Sequence, residues 1–171
     1  MAVTDPLRAE HAELRPHLDA LDTLAADLGR RPDDLVSRLA DAVRFLQGHL
    51  VPHAQAEEAA LYPEVDRVLG SPGATATMAA DHRDITVRIG RLAESAASAG
   101  SGEELSDEHV DSLRAQLYGL SAILHLHFAK EEEVLLPILD AHLDQAQADE
   151  LFAAMAESAH SDKDTADDHH H

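Results

Sequence analysis

Two stretches decide how this chain is read, HAQAEEAALYP (His53 to Pro63) and HFAKEEEVLLP (His127 to Pro137), both of the form H-x-x-x-E-E-x-x-L-x-P. Residues four apart share a face of an α-helix, so each H-x-x-x-E pair points an imidazole and a carboxylate the same way. The leucine four residues beyond the glutamate, Leu61 or Leu135, continues that face as apolar. A helix that sets His and Glu in line with its leucines sends them into a core.

The same face can be followed along the chain. Leu7, Leu14, Leu18, Leu21 and Leu28 form one stripe, and Leu35, Leu39, Leu46, Leu50 and Leu61 a second. Met78, Ile85, Ile89 and Leu92 form a third, and Val110, Leu113, Leu117, Leu120, Leu124 and Leu135 a fourth. Steps of three, four and their sums mark one buried face per α-helix. Thr4 or Asp5 before Pro6 starts the first helix and Gly29 stops it. RPDDL opens the second, which runs to about Gly70, with Pro52 and Pro63 expected to bend it or tighten its last turns. SPGAT opens the third, which runs out in AESAASAGSG near residue 100, and Ser101 with Glu104, or Ser106, caps the fourth. Pro137 interrupts that helix, and DQAQADELFAAMAESAH reads as a short fifth. The final SDKDTADDHHH reads as a disordered polar tail, its three His either native or a purification-tag remnant. The expectation is an all-α, antiparallel up-down-up-down four-helix bundle, one domain over 1–160 with a short extra C-terminal helix, and a disordered tail over 161–171.

Six titratable residues break the stripes. His11 stands between Leu7 and Leu14, and His82 between Met78 and Ile85; His53 and Glu57 follow Leu50, and His127 and Glu131 follow Leu124. His11 and His82 lie near helix starts and the other four near helix ends. In an antiparallel bundle with a rise of about 1.5 Å per residue those ends meet at one height. Four imidazoles and two carboxylates in an apolar core are prohibitively costly unless paired or bound to a cation. Two carboxylates that each bridge two metals, with two imidazoles for each metal, make a dinuclear nitrogen-and-oxygen site of the kind iron favours. A lone core histidine is more often only hydrogen-bonded, but six such positions at one height reverse that balance. Glu58 and Glu132 point about 100° away from the bridging pair and read as solvated, or as supports for the ligands. His49, one turn before His53, reads as a support, a spare ligand or a polar residue at the core edge. Tyr62 reads either as a hydrogen-bond donor to the cluster or as packing, and His17, His109, His125, His142 and His160 as surface residues.

Composition narrows the class. Aromatics are 3% of the chain and hydrophobic residues 44%, which suits a helical core. Thirteen Lys and Arg against thirty-three Asp and Glu give a formal charge of −20, which repels nucleic acid and anionic lipid. No cysteine is present, so any metal site uses His and carboxylates. The opening MAVTDPLRAEHAEL has no basic segment followed by an apolar one, and no run suits a membrane span, so a cytoplasmic location is expected.

One His on helix one, H-x-x-x-E on helix two, one His on helix three and H-x-x-x-E on helix four, each pair followed by E-x-x-L-x-P, resembles the hemerythrin-like (HHE cation-binding) domain over about residues 5 to 140. The offsets match in both halves: 42 residues from His11 to His53 and 45 from His82 to His127. The resemblance implies two iron ions in a non-haem di-iron centre with an oxo or hydroxo bridge, held by His11, His53, Glu57, His82, His127 and Glu131. Two departures bear on function. Oxygen carriers of the family resemble H-x-x-x-H on helix three, where this chain has Thr86 four residues after His82, and their fourth-helix motif is one residue longer and ends in Asp rather than Glu131. Fewer protein donors leave more open coordination, which leans toward reaction rather than reversible storage. That pattern is similar to hemerythrin-like proteins associated with peroxide, nitric oxide and iron handling. The expected function is a di-iron protein that binds or reacts with O2, hydrogen peroxide or NO, its enzymatic form a peroxide-disproportionating oxidoreductase. The alternative is a non-catalytic oxygen or iron sensor or store.

Overall fold

A computed structural model of the protein describes residues 1–167, and side chains through residue 160. Five helices run along it: α1 (Asp5–Asp27), α2 (35–69), α3 (Ala76–Ala99), α4 (107–142) and α5 (Gln145–Asp167). No strand occurs among the described residues. Contacts between α1 and α2, α2 and α3, α3 and α4, and α4 and α1 close α1 to α4 into a ring. Short connections make successive members antiparallel, giving the four-helix bundle expected from the stripes. No described helix is long and apolar enough to cross a membrane.

Two of the helix starts, those of α1 and α3, are tied to a neighbouring helix rather than capped locally. The Thr4 amide and hydroxyl both donate to Asp140 Oδ1, at 2.9 and 2.7 Å, and the Thr75 amide and hydroxyl both donate to Asp66 Oδ1 at 2.9 Å. These clasps join the start of α1 to the end of α4, and the start of α3 to the end of α2. They fix the relative height of helices at the end that carries the six polar core residues. Ser106 caps α4 in the ordinary way, its hydroxyl accepting from the His109 amide at 3.1 Å.

Pro52, Pro63 and Pro137 neither tighten nor end their helices. Each is preceded by one π-helical turn, at Leu46–Leu50, Glu57–Leu61 and Glu131–Leu135. The residue just before each proline donates its amide five residues back: Val51 to Leu46, Tyr62 to Glu57 and Leu136 to Glu131. Proline lacks an N–H and its ring clashes with the carbonyl four residues earlier, and a widened turn accommodates both defects without breaking the helix.

The core has two apolar parts. One, toward the far end of the bundle, includes Leu18, Leu21, Leu39, Leu46, Ile89, Leu92, Leu113, Leu117 and Phe128. The other includes Leu7, Leu61, Val65, Met78, Leu136 and Leu139 and is completed by Leu151 and Met155 of α5, which lies against residues 51–61 of α2. The fifth helix is thus a structural wall. It continues to Asp167, past the residue 160 boundary at which the sequence placed the tail, and residues 168–171, including the three terminal His, lie outside the described residues.

Candidate metal centre

Between the two apolar parts lies a polar layer made of the six residues that interrupt the stripes. None of His11, His53, Glu57, His82, His127 and Glu131 is more than 6% exposed. Their donor atoms form two groups, His11, His53, Glu57 and Glu131 on one side and His82, His127, Glu57 and Glu131 on the other, each within 4.8 Å. Both glutamates belong to both groups. In the first, His53 Nε2 is 2.8 Å and His11 Nε2 3.6 Å from Glu57 Oε1, and His11 Nε2 is 3.2 Å from Glu131 Oε2. In the second, His82 Nε2 is 3.3 Å from Glu57 Oε2, and His127 Nε2 is 3.0 Å from Glu131 Oε1.

Each imidazole is held from behind by a carboxylate on the neighbouring helix. His11 Nδ1 faces Glu132 at 3.1 Å, His53 Nδ1 faces Glu10 at 2.9 Å, His82 Nδ1 faces Glu58 at 2.9 Å and His127 Nδ1 faces Asp81 at 2.9 Å. An ionised carboxylate only accepts, so each Nδ1 carries its hydrogen outward and each Nε2 faces the paired glutamates. That is the tautomer and orientation metal-binding histidines need. Arg15 braces Glu132 at 2.6 Å, and Lys130 pairs with Asp81. Glu58 and Glu132 therefore serve as supports, one of the two roles the sequence allowed them. Glu10 and Asp81 were missed. Each immediately precedes a histidine of the cluster and holds the histidine of the next helix.

The π turns explain two further placements. Five residues after Glu57, a regular helix would turn Tyr62 about 140° away. The widened turn brings it back onto the cluster face, where its hydroxyl donates to Glu131 Oε1 at 2.7 Å and lies 3.1 and 3.2 Å from the Nε2 atoms of His82 and His127. The earlier π turn rotates His49 off the face shared with His53, and His49 is exposed, 6.0 Å from the Phe45 ring. Thr86 sits at the rim of a small cavity beside His82, its hydroxyl donating to the His82 carbonyl at 2.8 Å. His17, His142 and His160 are exposed, and His125 and His109 are half-buried, His125 facing Asp19 at 3.0 Å.

The electrostatics describe a site waiting for positive charge. Burial opposes a charged His11, yet Glu131 and Glu57 outweigh it and push its pKa up to about 9. Burial likewise opposes charge on His53 and His127, and Glu57 with Glu10, and Glu131 with Asp81, raise both above the usual imidazole range. Glu57 is held well below the carboxylate range by His53, His11 and His82 despite its burial. Burial and then the two glutamates push the Tyr62 phenol far up, so it keeps its proton. Even so, His11 Nε2, His53 Nε2, both Glu57 oxygens and Glu131 Oε2 are buried without a hydrogen-bond partner of good geometry. Five such atoms facing one another are costly in a folded protein and are what a cation-binding site presents. The donor set, two imidazoles and two shared carboxylates per group, fits a pair of divalent transition-metal ions.

The family model described as the hemerythrin HHE cation-binding domain matches residues 2–139, with a second match over 78–168. No curated protein and no solved structure matched the chain. The first match spans most of the sequence and includes all six residues of the polar layer, so the chain belongs to the hemerythrin HHE cation-binding domain family and is a metal-binding helical bundle.

Proposed function

We propose that this chain is a non-haem di-iron protein whose centre handles small oxidants, with hydrogen peroxide as its substrate and disproportionation as its reaction. In that reaction one peroxide is reduced to two waters by the two electrons and two protons that a second peroxide loses on becoming dioxygen. The observation that carries the reading is that both buried glutamates belong to both donor groups, which suits two cations and not one.

His11 and His53 would hold one ion and His82 and His127 the other, with Glu57 and Glu131 spanning both. Bound iron supplies Lewis acidity and a reservoir of electrons. The chain supplies the rest. Glu10, Glu58, Asp81 and Glu132 fix the imidazoles. The Tyr62 hydroxyl, its oxygen 2.7 Å from Glu131 Oε1, donates its proton in a hydrogen bond that steadies that carboxylate and keeps the proton within reach of an incoming oxygen atom. The two apolar parts of the core exclude bulk water on both sides of the layer.

A second reading, an oxygen or iron sensor, draws on the same layer. A polar sheet across the core couples metal occupancy to bundle stability, which a sensor exploits. Metal analysis with a peroxide assay separates the readings. About two irons per chain and rapid peroxide consumption support the enzyme. Two irons with slow consumption and a large occupancy-dependent melting shift support the sensor, and one zinc or no metal ends both.

A further inference from the structure

The two halves of the bundle repeat one another, with residues of α1 recurring 71 positions later in α3 and those of α2 recurring 74 positions later in α4. His11 and His82, His53 and His127, Glu57 and Glu131, and the clasps Thr4 to Asp140 and Thr75 to Asp66 all obey this register. The flanks of the cluster do not. Where α4 carries Phe128, α2 carries Ala54; where α1 carries Arg15, α3 carries Thr86.

On the flank between α4 and α1 the large residues close the centre. Phe128 is 2% exposed and lies flat on the His11 ring, with centroids 4.2 Å apart and planes 6° off parallel. Arg15 is tied to Glu132, the carboxylate behind His11. On the flank between α2 and α3 the small residues leave a cavity of about 10 Å³. Its lining takes in His53, Glu57, His82 and His127 from the cluster together with Phe128, whose ring serves both flanks, and has half-buried Ala54 and exposed Thr86 at the surface side. That volume suits about one water-sized molecule. Thr86 spends its only hydroxyl hydrogen on the His82 carbonyl, so its oxygen is left as an acceptor.

We propose that this crevice between α2 and α3 is the access path and binding space for the small exogenous ligand of the centre, with Ala54 and Thr86 setting its width. It admits only the smallest ligands, not far above the size of water, favours those that bring a hydrogen to Thr86, as hydrogen peroxide does, and turns away organic hydroperoxides. This rests on the di-iron reading and adds to it a direction of approach and a size limit.

The test uses the full chain loaded with iron, in wild-type form and as Ala54→Phe, Thr86→Arg and Val87→Arg. The first two install the residue that the other half carries, and Val87 is an exposed neighbour, 50% accessible, outside the crevice. Iron content and melting temperature are measured first, then the rate of azide association by absorption, then consumption of hydrogen peroxide and of tert-butyl hydroperoxide. Ala54→Phe and Thr86→Arg are expected to keep their iron while azide association slows by about ten-fold or more, with Val87→Arg unchanged. Wild-type chain is expected to consume hydrogen peroxide and leave tert-butyl hydroperoxide. If Ala54→Phe fails to fold, Thr86→Arg, altered only at the exposed rim, decides. Azide association at the wild-type rate in an iron-loaded Thr86→Arg chain overturns the access path and leaves the di-iron reading standing. A wild-type chain that takes up no iron overturns both.

Discussion

Removing Asp81 tests how the histidines are held. Asp81 Oδ2 accepts from His127 Nδ1 at 2.9 Å and also pairs with Lys130, and its side chain is only 21% exposed. In Asp81→Ala the His127 Nδ1–H, on a ring 2% exposed, loses its acceptor, and the imidazole is no longer fixed about its last torsion. Loss of such an outer partner weakens metal binding by about 10- to 100-fold, or roughly 1.4 to 2.8 kcal/mol. The shielding of Asp81 and its pairing with Lys130 place Asp81→Ala at the upper end, because little water can replace the carboxylate. Asp81→Asn keeps an accepting oxygen and loses only the charge, so about ten-fold is expected. Glu58 behind His82 is 45% exposed, and water can stand in for it, so Glu58→Ala belongs at the lower end. Competition of each chain against a chelator for ferrous ion or cobalt(II) gives the affinities, with Asp84→Ala, an exposed residue paired to Arg88, as the reference. If Asp81→Ala binds within about two-fold of wild type, or no worse than Asp84→Ala, the carboxylates behind the imidazoles do not position them.

Tyr62→Phe removes the 2.7 Å donor to Glu131 with almost no change in volume, so the metal-free chain should lose about 1 to 2 kcal/mol by denaturant titration, and an unchanged midpoint would mean the bond is not made. Leu151→Ala, at a site 7% exposed, should cost about 2 to 4 kcal/mol; a loss of a few tenths would make α5 an appendage rather than a wall of the core. In the metal-free chain the pKa of His11 is raised from 6.5 to about 9, so its contribution is complete below pH 6.5 and lost as pH rises through 9. It amounts to no more than roughly 3 kcal/mol. The metal-free melting temperature should therefore fall over that interval, and loading ferrous ion at pH 7 should release acid to a pH-stat; uptake of metal without acid release would contradict the raised values.

The residues of the polar layer were legible because two regularities pointed to the same six positions. The helical period put them on buried faces, and the chain lengths between them put them at one height. The outer carboxylates were only half legible. Glu58 and Glu132 were noticed because they stand in the repeated motif, whereas Glu10 and Asp81 lie off the apolar stripe and look like solvated acids until the neighbouring helix is in place. The clasp of Thr4 with Asp140 joins residues at opposite ends of the chain, and that of Thr75 with Asp66 closes across the connection between α2 and α3; local capping rules, which look only within the first turn of a helix, reach neither. The π turns were not legible either. Pro16 sits inside α1 without one, so a proline alone does not dictate how a helix relieves the clash; the packing around it decides. Those turns re-aim side chains, which is why regular helical spacing brings His49 toward the face of His53 and does not settle the place of Tyr62.

Charge explains why such a layer can exist in a folded chain. Six carboxylates, Glu10, Glu57, Glu58, Asp81, Glu131 and Glu132, face the four imidazoles, and only Arg15 and Lys130 offset them. With neutral histidines the layer and its outer carboxylates therefore keep four negative charges; water screens the half-exposed Glu10 and Glu58, while Glu57 and Glu131 bear theirs where the dielectric is low. Two divalent cations cancel four charges, and so do four protons on the imidazoles. The raised pKa values of His11, His53 and His127 are the second solution partly realised in the metal-free protein. On the di-iron reading protons and metal ions would compete for the same Nε2 atoms, and the carboxylates behind the rings would serve both, since an Nδ1–H is anchored outward in either state. The competition is uneven. A proton on each Nε2 satisfies the rings one at a time and leaves buried glutamate oxygens without a partner of good geometry, whereas two ions held between Glu57 and Glu131 would engage both groups at once. The repeated motif is the simplest way to write that arrangement into a helical chain: two copies supply the two shared carboxylates, and Glu58 of one copy braces His82 while Glu132 of the other braces His11.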